Sequence, residues 1–576
     1  ADTVARMSAR PNVLLILTDQ QRYPAPYDPE ALTRWRREEF AAERSLHEQG
    51  VRFTRHYTMA TACAPSRASL LTGQYPSLHG VTQTDGLAKR PTDDDVHWLS
   101  PTGVPTLGHW FRAGGYRTFY KGKWHASHAV LEAPDGSGPL LSIDDDGVPD
   151  QANIDAYLRA DLLDAFGFSE WVGPEPHGLG KHNTGSVKDV FTADETIALI
   201  ERLDGDGSDQ PWLSVCSFLN PHDSSYFGVV GLTQGLRYHP SQVPHIPKPP
   251  THDEDLSTKP TCQHSYADEW KQMGAPQPWI ETHRKFHYQV QRTVDEQIER
   301  VLDALRASGQ HEDTIVVFSS DHGDLLGAHG GMHEKWHNAY EEAIHVPFVV
   351  AGPPVGEGAR AVEVPTTHAD LLPTLLGFAG IDEPVAREQL AATHTEVHPL
   401  PGRDLSPVVL AGVEQASEPV LFMTDDEISE GSAAAGASPV AKLAKRARTY
   451  ATVLQPNHLQ TVVAQVDVDG EQHLVKLSRY YDNAQFWTVP GEHDVRLHRR
   501  TTTTVTEPAP DEYELYDLTS DPLEQRNLAH PSHASAASRA LQRRMLDLLI
   551  EQLAAKRLVP STGAVPGYRP PRADPE

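Results

Sequence analysis

Cys63 stands in the segment Thr61-Ala62-Cys63-Ala64-Pro65-Ser66-Arg67, with Leu71-Thr72-Gly73 shortly after it. Because Pro is common in the first turn of a helix, the segment predicts a helix that begins near Pro65, with Cys63 at its amino end. A cysteine in this position is either a small buried apolar side chain or a nucleophilic thiolate that the helix terminus activates. The other cysteines, Cys216 and Cys262, complete neither a disulfide framework nor a CxxC zinc site.

Four clusters of polar and ionisable residues each follow a short apolar run. The runs are 13–17, 116–120, 212–219 and 314–318, and the clusters are Asp19-Gln20, Lys121-Gly122-Lys123-Trp124-His125, Asn220-Pro221-His222-Asp223 and Asp321-His322-Gly323. Such runs, separated by helical segments, predict a parallel sheet with helices on its faces. Since ligand sites of open α/β sheets assemble at the carboxyl ends of the strands, we expect the four clusters to converge. Each cluster alone is equally consistent with an ordinary polar turn.

Three further segments have readable periodicity or composition. Apolar residues at Val290, Val294, Ile298, Val301 and Leu305 predict a core helix laid against the sheet, and Leu541, Met545, Leu548 and Leu549 predict a terminal helix. The stretch 224–282 is dense in Pro, His and polar residues and predicts a long surface excursion, either a lid or wrapping.

Composition excludes several classes of function. The chain has 576 residues, of which 39% are hydrophobic and 22% charged, and it holds no apolar run of the ~18 to 20 residues that cross a bilayer. With 50 Lys+Arg against 79 Asp+Glu the net charge is -29, which argues against a nucleic-acid or membrane partner. Residues 1–10 lack the apolar region of a signal peptide, so we expect a cytoplasmic protein, although a mature exported chain would look the same.

The segment Cys63-Ala64-Pro65-Ser66-Arg67 with its Leu-Thr-Gly resembles the signature of the type I sulfatases of the alkaline phosphatase superfamily, in which this cysteine is oxidised to formylglycine after translation. The other clusters, Lys335, Tyr340-Glu341-Glu342 and Glu514-Leu515-Tyr516-Asp517-Leu518 occur in the order that sulfatases show. The resemblance implies an α/β fold with a large, mixed, mostly parallel sheet flanked by helices and a smaller C-terminal antiparallel sheet with a terminal helix. We accordingly predict a catalytic domain over 1–405 and a smaller α+β domain with a Pro-rich tail over 406–576.

The resemblance also implies an activity: hydrolysis of a sulfate monoester of a small molecule or carbohydrate, releasing inorganic sulfate and an alcohol. A formylglycine hydrate at position 63 attacks sulfur, and His125 then takes the proton whose loss expels sulfate. Lys123 and Lys335 contact the sulfuryl oxygens, His222 assists the leaving group together with Lys335, and Arg67 supports the formylglycine. Maturation requires a formylglycine-generating enzyme as partner.

One divalent metal is implied, held by Asp19, Gln20, Cys63 in its modified form, Asp321 and His322. The commonest family pattern has three Asp and one Asn, so Gln20 and His322 are departures from it. Having two carboxylates leaves the site about one charge more positive than three would, which favours an anionic ester. Oxygen ligands make Ca²⁺ the expected ion, and the imidazole makes Mn²⁺ the alternative.

Two other functions remain open at this point. A phosphonate monoester or phosphodiester hydrolase on the same scaffold is conceivable given Gln20 and His322, although Lys123 and His125 match the sulfatase version of their motif. A binding protein without activity is disfavoured because every implied catalytic position holds a competent residue. The sequence predicts neither the particular ester nor the oligomeric state.

Some conspicuous features have simpler interpretations. Asp93 to Asp95 and Asp144 to Asp146 predict solvated loops, and 429–438 predicts a flexible link. His329, His333 and His337 recur every four residues and predict a helical face that either contacts substrate or is exposed. His79 either borders the site or is structural.

Overall fold

A seven-stranded sheet forms the centre of the molecule. The computed structural model describes residues 10–85, 89–93, 95–176, 180–227, 231, 235–272, 280–356, 358–428, 452–498 and 501–561 of the chain. The strands in the described residues are β1 (Asn12–Asp19), β2 (Val51–Phe53), β3 (His56–Tyr57), β4 (Arg117–Gly122), β5 (Trp212–Pro221), β6 (Thr314–Ser320), β7 (Phe348–Ala351), β8 (Arg360–Val362), β9 (Thr366–Thr367), β10 (Val420–Thr424), β11 (His458–Val468), β12 (Glu471–Tyr481), β13 (Asp494–His498), β14 (Thr501–Val505) and β15 (Glu512–Asp517).

The order in this sheet is β4-β5-β1-β6-β7-β2-β8. The first four strands are parallel, β7 is antiparallel to both of its neighbours, and β2 pairs with β8 in parallel. All four apolar runs that predicted strands therefore lie side by side, with their carboxyl ends at one edge.

Helices cover both faces of the sheet. Among the described residues, the α-helices of four or more residues with helical backbone throughout are α1 (Glu30–Glu39), α2 (Ala41–Gln49), α3 (Cys63–Thr72), α4 (Pro76–His79), α5 (Leu107–Ala113), α6 (Gln151–Ala160), α7 (Gly185–Gly205), α8 (Thr261–Gln272), α9 (Ile280–Ala307), α10 (Glu341–Ile344), α11 (Leu371–Ala379), α12 (Glu383–Leu390), α13 (Ser406–Ala411) and α14 (Ala536–Lys556).

Alternation along β1 shows how the two faces are filled. Val13, Leu15 and Leu17 pack into one apolar cluster with side chains of α3, α5 and α11, whereas Leu14 and Ile16 pack into another with α2, α7 and α9. Because both faces are covered, residues 13–17 of this strand are all apolar instead of alternating with polar residues. The predicted helix over 290–305 is part of α9, and its apolar stripe is buried.

A four-stranded antiparallel sheet, in the order β10-β11-β12-β15, follows in the C-terminal part. One of its faces packs against Met545 and Leu549 of α14. The other face packs over the segment 325–344, which links it to the large sheet. The predicted fold class is confirmed.

Some segments differ from expectation or lie beyond the structure's description. The stretch 224–282 is only partly a surface excursion, because it contains α8, whose Cys262 and Tyr266 are buried in an apolar cluster. The predicted link 429–438 and the tail residues 562–576 lie outside the described residues. The boundary between 405 and 406 falls directly before α13, and the division into two domains stays a prediction.

Candidate active site at the carboxyl edge of the large sheet

The carboxyl ends of four neighbouring strands bring the predicted site residues together. Asp19 ends β1, Lys123 follows β4, His222 follows β5, and Asp321 and His322 follow β6. All five side chains are buried or nearly so. The fold therefore gathers side chains that lie up to about 300 residues apart in the sequence, as the shared edge of parallel strands requires.

Cys63 is the first residue of α3, two residues earlier than the expected start at Pro65. Its Sγ lies 3.1 Å from His322 Nε2 and 3.8 Å from Asp19 Oδ1. Behind it, Ser66 Oγ donates to the backbone oxygen of Asp321 (2.5 Å), which ties the helix to the end of β6. Cys63 is thus a buried side chain fixed among potential metal ligands.

Arg67 holds the two carboxylates of the site at once. Its Nε donates to Asp321 Oδ2 (2.9 Å) and its Nη2 donates to Asp19 Oδ2 (3.0 Å). Its Nη1 donates to the backbone oxygen of Lys123 and to Ser217 Oγ, both at 2.9 Å. A planar fork of fixed donors is suited to this bridging, and a Lys could not replace it. Although burial opposes ionisation, Lys123 and Arg67 outweigh it and hold the pKa of Asp19 well below its usual value.

The donor atoms of Asp19, Cys63, Asp321 and His322 all lie within 4.8 Å of one another, as in a metal site. Burial lowers the pKa of His322, so its ring is neutral, and its Nδ1 lies 3.0 Å from the backbone oxygen of Gly323. Because Nδ1 donates to that carbonyl, Nε2 keeps its lone pair and faces Cys63. Two carboxylates, one imidazole and the side chain at position 63 fit a divalent cation.

Gln20 is held by hydrogen bonds on both atoms of its amide. Its Oε1 accepts from Lys335 Nζ (2.9 Å), and its Nε2 donates to Asp324 Oδ2 (2.5 Å) and Ser225 Oγ (3.0 Å). Asp324 was given no role from the sequence. Burial opposes its ionisation, but His287, His283 and His333 lower the pKa of Asp324 to about 2. A permanently charged Asp324 therefore fixes which way the Gln20 amide points.

The cationic side chains of the site differ in protonation. Lys123 Nζ lies 2.5 Å from Asp19 Oδ2, and Lys335 Nζ lies 3.0 Å from Glu334 Oε2. Despite burial, Cys63 and Glu334 raise the pKa of Lys335, which is charged. Burial, followed by Lys123, holds the pKa of His222 well below its usual value. In the substrate-free site His222 is therefore neutral, whereas Lys335 is protonated.

His125 sits beside Cys63 and is held by residues that the sequence did not single out. Its Nε2 lies 2.7 Å from Asp85 Oδ1, and its backbone N donates to Glu175 Oε1 (2.9 Å). Asp426, from the C-terminal part, accepts from the backbone N of Ala62 (3.1 Å). These partners lie 40, 50 and 364 residues away from the groups they hold, and no local spacing signals them.

The predicted helical face of His329, His333 and His337 is wrong. The backbone at His329 and at His337 has a positive φ, so the three do not share a helix, and all three are buried instead of exposed. His329, Glu342 and Glu524 do form a second group with metal-like spacing. Burial opposes a charge on His329, but Glu342 and Glu254 outweigh it and raise its pKa to about 9. His329 Nδ1 lies 3.1 Å from Glu254 Oε2 and its Nε2 lies 3.4 Å from Glu342 Oε2, while Glu524 Oε1 lies 2.8 Å from Lys476 Nζ, so the contacts of this group in the described residues are those of an ion-pair network.

The remaining sequence interpretations concern single residues. His79 is structural: it is buried, with Nε2 3.0 Å from Ser69 Oγ and Nδ1 accepting from the backbone N of Val81. The loop at 144–146 is exposed as predicted, and Asp145 Oδ1 lies 2.6 Å from His182 Nδ1. All three cysteines are free, in agreement with the expected lack of disulfides.

Comparisons with known proteins identify a family and several proteins of similar fold. A family model described as Sulfatase matches residues 11–381. A choline-sulfatase of Rhizobium meliloti is 26% identical over 72% of this chain and 74% of its own. The fold is similar to that of a 2-O GAG sulfatase, with a TM-score of 0.59, 19% identity and coverage of 98% and 99% of the two chains. It is also similar to that of a phosphonate monoester hydrolase of Agrobacterium radiobacter, with a TM-score of 0.55, 21% identity and coverage of 95% and 96%.

Among the helices of the described residues, none has both the length and the apolar character that crossing a membrane demands.

Proposed function

The chain belongs to the sulfatase family and hydrolyses sulfate esters, and we propose that its reactive centre is formylglycine at position 63 together with one divalent metal. The observation that supports this most strongly is the placement of buried Cys63 among Asp19, Asp321 and His322. When formed and bound, formylglycine and metal supply an activated hydroxyl nucleophile. The metal ligands would be Asp19, Gln20, Asp321, His322 and the modified residue, with Ca²⁺ the preferred ion and Mn²⁺ the alternative.

The surrounding side chains have roles that follow from their charge and position. Lys123 and Lys335 are compact cations that can neutralise negative charge on sulfuryl oxygens. Arg67 keeps Asp19 and Asp321 in place whether or not the metal is bound, because it already bridges both carboxylates. These contacts hold the charge pattern of the site before substrate arrives, which lowers the cost of reorganisation during the reaction.

Proton transfers at the two ends of the reaction fall to different residues. Lys335 is protonated in the free site and can donate to the leaving alcohol oxygen, while the neutral His222 beside it can orient that oxygen by a hydrogen bond. His125, next to position 63, can accept the proton of a hydroxyl there. Proton donor and proton acceptor are thus separate groups, as general acid and base catalysis requires.

We place the substrate in the class of sulfate monoesters of carbohydrates or small alcohols. A relative is named for choline sulfate, and a chain of the same fold is named for a GAG. The acidic surplus of the whole chain does not oppose an anionic substrate, because Lys123, Lys335, Arg67 and a metal set the local potential.

The test is an assay of inorganic sulfate released from a panel of carbohydrate, choline and aryl sulfates, with protein produced together with a formylglycine-generating enzyme. We expect turnover that disappears in Cys63→Ala and persists in Cys216→Ala, a matched control because Cys216 is equally buried but lies on β5 with its Sγ on Thr196. Phosphonate monoesters and phosphodiesters form the comparison arm. Full turnover by Cys63→Ala, or faster phosphonate than sulfate hydrolysis, would overturn the proposal.

A further inference from the structure

The imidazole of His125 is clamped between a carboxylate and the side chain at position 63. Its Nε2 lies 2.7 Å from Asp85 Oδ1, and the Cys63 side chain is close enough to the ring to help raise the pKa of His125 against the effect of burial. Both His125 and Asp85 are about 95% buried, with exposed fractions of 4% and 5%. Since an imidazole has two nitrogens and Asp85 takes Nε2, Nδ1 is the nitrogen left for position 63.

The backbone of His125 is held as firmly as its ring. Glu175 Oε1 accepts from the backbone N of Trp124 (2.8 Å) and of His125 (2.9 Å). His125 has a φ of 50°, a left-handed conformation that is costly for a residue with a Cβ and persists only where its surroundings enforce it. The Trp98 ring lies 5.9 Å from the imidazole, centroid to centroid, and limits its rotation. The position of the ring is therefore set by several independent contacts.

The loop that carries Asp85 is held in place by the residues that follow β10. Thr84 N donates to Asp426 Oδ1 (3.1 Å), and Gln83 Nε2 donates to the backbone oxygen of Asp425 (2.7 Å). The same Asp426 accepts from Ala62 N, directly before Cys63. One carboxylate of the C-terminal part thus sets the distance between the loop that carries Asp85 and the start of α3.

We propose that Asp85 is a positioning residue for the sulfatase reaction, which holds His125 in the tautomer whose Nδ1 can accept a proton from position 63. This inference rests on the proposed function. The carboxylate accepts the Nε2 proton, so the lone pair is on Nδ1. A proton that leaves a hydroxyl of residue 63 binds to Nδ1, the Nε2 proton stays on His125, and Asp85 balances the positive charge of the imidazolium.

An isosteric amide would reverse this arrangement. In Asp85→Asn the side-chain NH₂ can donate to Nε2, which stabilises the tautomer with its proton on Nδ1 and removes the acceptor. Exchange of the carboxylate behind a catalytic His for an amide is known to cost about 10⁴ in turnover in a serine protease, and a general base is worth about 10²–10⁴. We therefore expect Asp85→Asn to lower kcat by about 10²–10⁴ with KM little changed.

The test compares the matured wild type with Asp85→Asn, His125→Ala and the double variant. Asp95→Asn is the control, because Asp95 lies ten residues further along the chain and pairs with Lys89 (3.0 Å), not with His125. Besides turnover, intact-protein and peptide mass spectrometry after rapid quenching would detect a sulfuryl group left on the peptide that contains position 63. We expect both Asp85→Asn and His125→Ala to release alcohol once and to retain the sulfuryl group. Asp95→Asn should behave as wild type.

The double variant distinguishes a positioning role of Asp85 from a general loss of structure. If Asp85 acts through His125, adding Asp85→Asn to His125→Ala costs nothing further. Three results would each overturn the inference: an additional loss of turnover in the double variant, no sulfuryl group retained in Asp85→Asn, or wild-type turnover in Asp85→Asn. The Cys63 assay still decides the proposed function separately. Melting curves check folding, and Asp85→Ser, which also lacks the carboxylate, replaces the amide variant if that variant does not fold.

Discussion

Replacing Lys476 by Met is expected to cost the protein much of its stability. Lys476 lies on β12 with 1% of its side chain exposed, and its Nζ lies 2.9 Å from Glu341 Oε1 and 2.8 Å from Glu524 Oε1. It also donates to the backbone oxygen of Ala339 (2.7 Å). Glu341 belongs to α10, which lies between β6 and β7 of the large sheet, so the ion pairs join the C-terminal sheet to the part of the chain that carries the active site.

The magnitude follows from what the substitution leaves behind. Without the cation, the buried carboxylate of Glu524 faces that of Glu341, whose side chain is 19% exposed, and removing one partner of a buried ion pair costs about 3–5 kcal/mol of unfolding free energy. Burial, only partly offset by Lys476, already raises the pKa of Glu524 to about 7. In the variant this pKa rises further, so the folded state binds a proton more tightly than the unfolded state, and the penalty shrinks as the pH falls from 8 to 5.

Urea unfolding followed by tryptophan fluorescence would measure the effect, with Arg479→Met as control. Arg479 is on the same strand and pairs with Asp511 at 2.6 Å, but both side chains are about one-third exposed, so we expect a loss of below about 1 kcal/mol. Lys476→Met combined with Glu524→Gln should recover most of the lost stability. A loss no larger than that of Arg479→Met, or no recovery in the double variant, would refute the reasoning.

The remaining predictions concern pH, metal and the leaving group. Against burial, carboxylates raise the pKa of His329 and of His458 to about 9, so the stabilisation from each charged imidazole, on the order of 3 kcal/mol, is complete below about pH 6.5 and lost as the pH rises through 9. Unfolding free energies measured at pH 6.5 and at pH 10 should show this decline. In the double variant His329→Gln with His458→Gln, the decline in unfolding free energy should be much smaller. Ca²⁺ or Mn²⁺ at a hundred times its Kd should stabilise the protein by about 2.7 kcal/mol, and a melting temperature that neither ion moves would contradict the metal site. Because Lys335 and not His222 carries the proton in the free site, Lys335→Met should slow alkyl sulfates more than aryl sulfates with acidic phenols, and a stronger dependence in His222→Ala would contradict this.

Much of the site could be predicted because its residues follow strands that periodicity reveals. Asp19, Lys123, His222 and Asp321 each come within three residues of the end of a buried apolar run, and the parallel sheet then places them together. The signature around Cys63 identified the family, whose model matches 11–381.

The residues that hold these groups could not be predicted, for a physical reason. Apolar periodicity records which residues are buried but not which distant polar groups pair inside the fold. Asp85 meets His125 within the N-terminal part, and Asp426, which follows β10 of the C-terminal sheet, meets Ala62; no local pattern encodes either contact. The spacing of His329, His333 and His337 mimicked a helix face, whereas glycines at 330 and 331 with positive φ break the chain into turns there.

The central claim is that position 63 works as formylglycine, and its most direct test relates the extent of modification to activity. Samples produced with increasing amounts of formylglycine-generating enzyme would be analysed by peptide mass spectrometry for the fraction of Cys63 converted, and assayed for sulfate release with Ca²⁺ or Mn²⁺ present. We predict that turnover rises in proportion to the converted fraction and extrapolates to zero for the thiol. A sample whose position 63 is entirely cysteine but which turns over at the matured rate would contradict it.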